Sequence, residues 1–221
     1  MINITKEAAG NPELRKELSN PYSICPPDHG FKARQKNVTS PELDPESGRW
    51  AGPFIMAGIN TRVVHRSNAL SGNAYGDDFL YDESMLMGKG IKGRLSATGF
   101  VFGLGAFLAG AAIKPTRWVM ENYLLPKPGE GPSPEAQEKG FYDLRFYGET
   151  KDGQKISTRV AGDRDPGYGS TAKMLAQAAL SLAFDVDKEE KGGGFWTTAT
   201  VFDQRFIDRL QQNAGLTFTV L

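Results

Sequence analysis

The sequence predicts an α+β domain: an antiparallel or mixed sheet covered by helices, with one long Gly-rich apolar helix among them. Three observations carry this expectation. Residues 142–160 alternate apolar and polar side chains on either side of Asp152-Gly153, the pattern of a β-hairpin. Ser96–Ile113, SATGFVFGLGAFLAGAAI, runs for eighteen residues without a charge. The elements follow one another as helix, strand, two helices, hairpin, helix, helix and strand, an order that suits a sheet with helices on it.

At 221 residues the chain is long enough to bury a sizeable core, and 1–221 reads as a single domain. One cysteine excludes an internal disulfide, and the polar start MINITKEAAG has no apolar signal segment, so the cytoplasm is the expected compartment. Lys plus Arg equals Asp plus Glu at 26 each, which gives no global field to draw the chain to nucleic acid.

Taken in order, Pro12–Ser19 reads as a short helix capped by Asn11 and stopped at Asn20-Pro21. Residues 20–50 form an irregular, proline-punctuated segment expected to wrap a surface or line a site. Cys25 and His29 within it are half a metal site at best, since the other histidine stands at position 65, and no metal is expected. Pro53–Leu70, PFIMAGINTRVVHRSNAL, reads as a helix whose Met56, Ile59, Val63 and Leu70 make a buried stripe. On its other side Arg62 and Arg66 stack, with Asn60, Thr61, His65 and Asn68 beside them. Like charges at that spacing repel unless something answers them. A helix C-terminus, a salt-bridged surface and a substrate or cofactor anion are all answers the spacing allows.

Ser71–Asp77 is a turn, and Phe79–Met87 an imperfect strand. Ser96–Ile113 sits at the lower edge of a membrane span, but its length and polar flanks favour a buried helix packed closely through Gly99, Gly103, Gly105 and Gly110. Contact with a lipid surface stays open as the alternative. Thr116–Leu125 is an amphipathic helix, and residues 126–140 are a loop. The hairpin is expected to bury one face under helices.

The segment GDRDPGYGSTAK, residues 162–173, leads into an apolar helix at Ser170–Phe184 that reads as buried. Gly167-x-Gly169-x-x-Ala172 imitates a dinucleotide fingerprint, but the strand before it belongs to a hairpin and no strand follows its helix, so that reading fails. Two readings remain: backbone N–H groups beside Ser170 and Thr171 that could hold an anion, and plain capping by Ser170. Phe195–Ala199 is extended or a turn. Asp203–Asn213 is a helix burying Phe206, Ile207 and Leu210, ended by Gly215 before a last strand, Leu216–Leu221.

PFIMAGINTRVVHRSNAL, GDRDPGYGSTAKMLAQAAL and GGGFWTTATVFDQRFIDRLQQNAGLTFTV resemble the C-terminal half of saccharopine dehydrogenase-like oxidoreductases, in the branch of trans-acting enoyl reductases. PYSICPPDHG and PKPGEGPSPEAQEKG resemble it too, so the likeness runs from about Asn11 to the end. His65 departs from the family pattern, where arginine is more frequent. The resemblance implies that the chain is a substrate-binding and dimerisation region from which the N-terminal Rossmann domain is missing. It implies NAD or NADP for the full-length protein and no cofactor on this fragment alone, a homodimer, and reduction of a double bond on a lipid or polyketide intermediate. It further implies that Asn60, Arg62, Arg66 and Asn68, with Arg164, Ser170, Thr171 and Lys173, border a cleft facing the missing domain, and that Tyr168 donates a proton opposite hydride delivery. The alternative is a non-catalytic interaction module that dimerises and meets a lipid surface or a synthase partner, cytoplasmic but peripheral to a membrane. A weaker third reading is an independent small-molecule binding domain.

Overall fold

Helix α1 (Pro12–Ser19) begins as its sequence requires: Asn11 accepts a hydrogen bond from the Leu14 N–H, and Pro12 sits where a missing N–H costs nothing. The computed structural model describes residue 7, residues 10–126 and residues 129–221, and it divides the chain into two compact units, residues 1–125 and 126–221. The fold class is α+β, and both sheets among the described residues are antiparallel.

In the first unit, β1 (Glu42–Leu43), β2 (Trp50–Pro53) and β3 (Ser84–Gly88) form a sheet in that order, with an irregularity between Trp50 and Ala51. Periodicity gives no warning of β1 or β2, which are two and four residues long. Strand β3 is shorter than the Phe79–Met87 expected, because residues 79–83 are engaged through side chains rather than a ladder.

Helix α2 (Ala57–Leu70) is present, but its buried side is the reverse of the amphipathic expectation. Ala57, Thr61, His65, Ser67 and Asn68 are buried, whereas Met56, Ile59 and Val63 are exposed. The irregular segment and the aromatic side chains it carries cover the polar side, so contacts distant in sequence, rather than hydropathy, set which face turns inward.

Helix α3 (Gly90–Ala112) corrects a second expectation. Of its 23 residues, the buried ones are Gly93 and Ala97. Its first part is seated on the sheet: a Cβ at Gly93 would lie 2.3 Å from the Gly88 carbonyl oxygen, and the Phe100 ring comes 3.3 Å from the place a Cβ would take at Gly52. Beyond Phe100 no residue of α3 is buried among the described residues of the first unit. Helix α4 (Lys114–Val119), continued by a π-helical turn at Met120–Leu124, folds back on its end, with the Met120 sulfur 3.4 Å from the Cβ position of Gly110.

The second unit opens on α5 (Pro134–Lys139), a helix inside the expected loop. Its signal was Ser133-Pro134-Glu135, and Ser133 caps the Ala136 N–H. Lys127 and Pro128 of that loop lie outside the described residues. Strands β4 (Tyr142–Glu149) and β5 (Lys155–Gly162) make the expected hairpin, Tyr142 opposite Gly162 and Glu149 opposite Lys155. β6 (Leu216–Val220) pairs on the other side of β5. Helix α6 (Gly169–Phe184), the short α7 (Thr198–Val201) and α8 (Gln204–Asn213) complete the unit.

The core lies where α8 meets the sheet. Leu210, Ala214 and Leu216 are buried, with Val160, Met174, Phe206 and Phe218 against them. Gly215, at φ +71°, makes the turn from α8 into β6. The cover is partial: Leu144, Phe146 and Ile156 remain exposed on the hairpin, as do Leu175, Leu182 and Phe184 on α6, both of which the sequence suggested were buried.

Candidate functional site

The cations of α2 are answered by backbone oxygens. Arg62 donates from Nε to the Asn20 carbonyl at 3.2 Å, from one terminal nitrogen to Gly58 at 2.8 Å, and from the other to Leu18. Leu18 and Asn20 close α1, so a guanidinium sits at the end where a helix leaves carbonyls unmatched and its dipole is negative. Arg66 donates to the Ile24 carbonyl. The two arginines thus fasten the chain that leaves α1, and each is half-buried while doing so.

The amides of α2 are equally engaged. Asn68, fully buried, donates to the Gly76 carbonyl at 2.8 Å and accepts from the Tyr75 N–H at 2.8 Å, which fixes the 71–77 turn. Asn60 donates to Glu83 at 2.9 Å, and Tyr81 donates to the same carboxylate at 2.6 Å. Burial, helped by that carboxylate, pushes the Tyr81 phenol above its ordinary range.

Between these anchors lies His65. It is 1% exposed, edge-on to Tyr22 with ring centroids 4.8 Å apart and to Phe79 at 5.9 Å, with Phe31 at 6.1 Å. Its Nε2 has no hydrogen-bond partner among the described residues. Burial, and secondarily the neighbouring His29, hold it below the ordinary imidazole value. The residue is therefore a neutral ring in an aromatic cage, not a third charge in the cluster. Gln35 ties the cage shut: it donates to the Tyr22 hydroxyl at 2.6 Å and the Phe79 carbonyl at 3.0 Å, and accepts from the Tyr81 N–H at 3.0 Å.

In the second unit, Arg164, Tyr168, Ser170, Thr171 and Lys173 lie just before and along the first turns of α6. The N–H groups that might have held an external anion are occupied by Asp165, whose carboxylate accepts from Gly167 at 2.9 Å, from Tyr168 at 3.2 Å and from Gly169 at 2.6 Å. Those bonds, that of Gly169 foremost, hold its pKa below the usual carboxylate range. Tyr168 stands at the N-cap position and Asp165 takes the N–H of Gly169 at the first helical position, so Ser170 does not cap the helix. An Asp-Pro-Gly turn just ahead of the helix was the signal for this arrangement.

Ser170 is instead fully buried, its hydroxyl 3.0 Å from that of Tyr142. Thr171 donates to the Pro166 carbonyl at 2.6 Å, Lys173 pairs with Asp163 at 2.9 Å, and Arg164 stands 3.8 Å from Glu138. Tyr168 differs from them: one edge of its ring lies 3.3 Å from the Cβ position of Gly131, and the side chain is 54% exposed. No cluster of three or more metal-ligating side chains occurs among the described residues.

With this geometry established, the chain can be set beside known proteins. It is 36% identical over 219 residues to the trans-acting enoyl reductases of Mycobacterium tuberculosis and Mycobacterium bovis, the alignment covering 93% of this chain and 51% of theirs. The trans-acting enoyl reductase of Mycobacterium ulcerans is 32% identical over 219 residues, 94% of this chain and 51% of its own. The chain therefore spans about half the length of the curated relatives it matches. No protein-family model matches it, and no solved structure does.

Proposed function

We propose that this chain supplies the substrate side of an enoyl reductase related to the saccharopine dehydrogenase-like oxidoreductases, working on a lipid or polyketide acyl intermediate. The observation that carries the reading is the likeness to trans-acting enoyl reductases along 93% of the chain. In this reading, NAD or NADP is bound by the part of such an enzyme that lies outside the match, the assembly is a homodimer, and it works in the cytoplasm.

The reaction balances simply. Hydride from the reduced nicotinamide adds to one carbon of the double bond, and a proton adds to the other. Tyr168 is the proposed proton donor: its side chain is exposed beside the capped start of α6, held by backbone contacts that do not use its hydroxyl. Arg62, Arg66 and Asn68 contribute indirectly, as the residues that shape the first unit.

Isothermal titration tests the division of labour. The isolated chain is expected to bind crotonyl-pantetheine and to give no saturable heat with NADPH or NADH. Saturable nicotinamide binding without any acyl-thioester binding would overturn the proposal.

A further inference from the structure

From Ser84 to Met120 the chain carries five cations, Lys89, Lys92, Arg94, Lys114 and Arg117, and no acidic residue, although the whole sequence is balanced at 26 against 26. The same part of the chain exposes apolar side chains. Along α3 and α4, Phe102, Leu108, Ile113, Trp118, Tyr123 and Leu124 are each more than half exposed.

The distribution around α3 separates the kinds of partner. At about 100° per residue, Phe102, Phe107 and Leu108 stand roughly 100° to 140° apart around the axis. All three are exposed, so apolar surface faces outward in three directions around the helix, while the side of Gly110 is covered by Met120. A protein groove covers one side of a helix and leaves the other in water, where polar residues would be expected. Hydrocarbon surrounds an inserted helix, and no polar side requires hydration. The two ends fit the same surroundings: cations precede the apolar run and follow it, and Trp118 and Tyr123, whose amphipathic rings favour the headgroup level, lie just beyond.

Depth follows from the packing. The helix is seated on its sheet through Gly93, Ala97 and Phe100. Residues 101–112 are left, a length of about 18 Å at 1.5 Å per residue, against the roughly 30 Å that a span requires. The turn back into α4 is fixed as well, the single Thr116 hydroxyl proton shared between the Gly110 carbonyl at 2.5 Å and the Ile113 carbonyl at 3.0 Å.

We infer that the free end of α3 with α4 is a docking element for an anionic lipid bilayer, entering one leaflet without crossing it. Lys114 and Arg117 meet the lipid phosphates, with Trp118 and Tyr123 at the interface. This docking does not depend on the reductase reading and extends beyond it.

Vesicle flotation of the whole chain tests it. The protein is expected to float with phosphatidylcholine vesicles containing phosphatidylglycerol, and less with phosphatidylcholine alone. The double variant Lys114→Glu, Arg117→Glu is expected to partition roughly 30-fold or more weakly into the anionic vesicles, at about fivefold for each lost cation. Phe102→Glu with Leu108→Glu is expected to remain in the bottom fraction with an unchanged far-ultraviolet circular dichroism spectrum, since both positions are exposed. Bromine on the lipid chains at a shallow position is expected to quench Trp118, and Trp118→Phe to remove that component. Failure of the parent protein to float with anionic vesicles would overturn the inference. So would a dimer in ultracentrifugation that Phe102→Glu converts to monomer while flotation is unaltered, because the apolar surface would then belong to a second copy.

Discussion

Replacing His65 by phenylalanine should stabilise the first unit at neutral pH and abolish part of its acid sensitivity. A buried polar atom without a partner costs about 1–3 kcal/mol, and Nε2 is such an atom. Phenylalanine keeps a ring of similar size against Tyr22, Phe31 and Phe79, so a net gain of about 1 kcal/mol is expected after imperfect repacking. The pH effect has a definite sign. The folded imidazole titrates below its ordinary value near 6.5 because it is buried and faces His29. As pH falls through about 6.5, the unfolded chain takes up a proton that the folded chain refuses. Stability is therefore fully present above that pH and declines below it, by at most about 1.4 kcal/mol per pH unit for this one group. The one charged group that acts on it among the described residues is His29, and the Tyr22, Phe31 and Phe79 rings around it supply no anion to stabilise a charged ring. Urea melts at pH 8, 7, 6 and 5, in a Trp196→Phe background so that Trp50 and Trp118 report the first unit, give both quantities. A His65→Phe protein that is less stable at pH 8 than its parent, or that shows the same slope between pH 7 and 5, refutes the reasoning.

Three further outcomes follow from the packing. Gly140→Ala places a methyl group 2.5 Å from the Asp165 Cα, and should cost about 1–3 kcal/mol in a melt followed through Trp196. Ser170→Ala leaves the Tyr142 hydroxyl without its buried partner, at a cost of about 1–3 kcal/mol by the same measurement. Arg62→Met removes charged hydrogen bonds at the end of α1, each worth at least about 1.5 kcal/mol; chymotrypsin should then cut at Tyr22 or Phe31 roughly tenfold faster.

The parts of the fold legible in the sequence are those with local punctuation. Asn11-Pro12, Asp152-Gly153 and Ala214-Gly215 each state a cap or a turn in two residues, and α1, the hairpin and the junction of α8 with β6 stand where those pairs place them. Burial was less legible, for two physical reasons. Around α2, polar side chains turn inward because the irregular segment offers them carbonyls and an aromatic cage, partners from 34 to 44 residues away that no helical period encodes. Around α3 and α6, apolar composition was read as core, but hydrophobicity states only that a surface avoids water and not what covers it. At the start of α6 the carboxylate that holds the backbone is Asp165, whose part no helical or strand period encodes.

The most direct test of the reductase reading is a transplant. Joining this chain to the remaining half of a trans-acting enoyl reductase, in place of the segment it matches, is expected to give NADPH- or NADH-dependent reduction of crotonyl-pantetheine. In that protein Tyr168→Phe should lower kcat by about a hundredfold with little change in KM. A folded chimera that binds nicotinamide yet leaves the enoyl thioester unreduced would contradict the account.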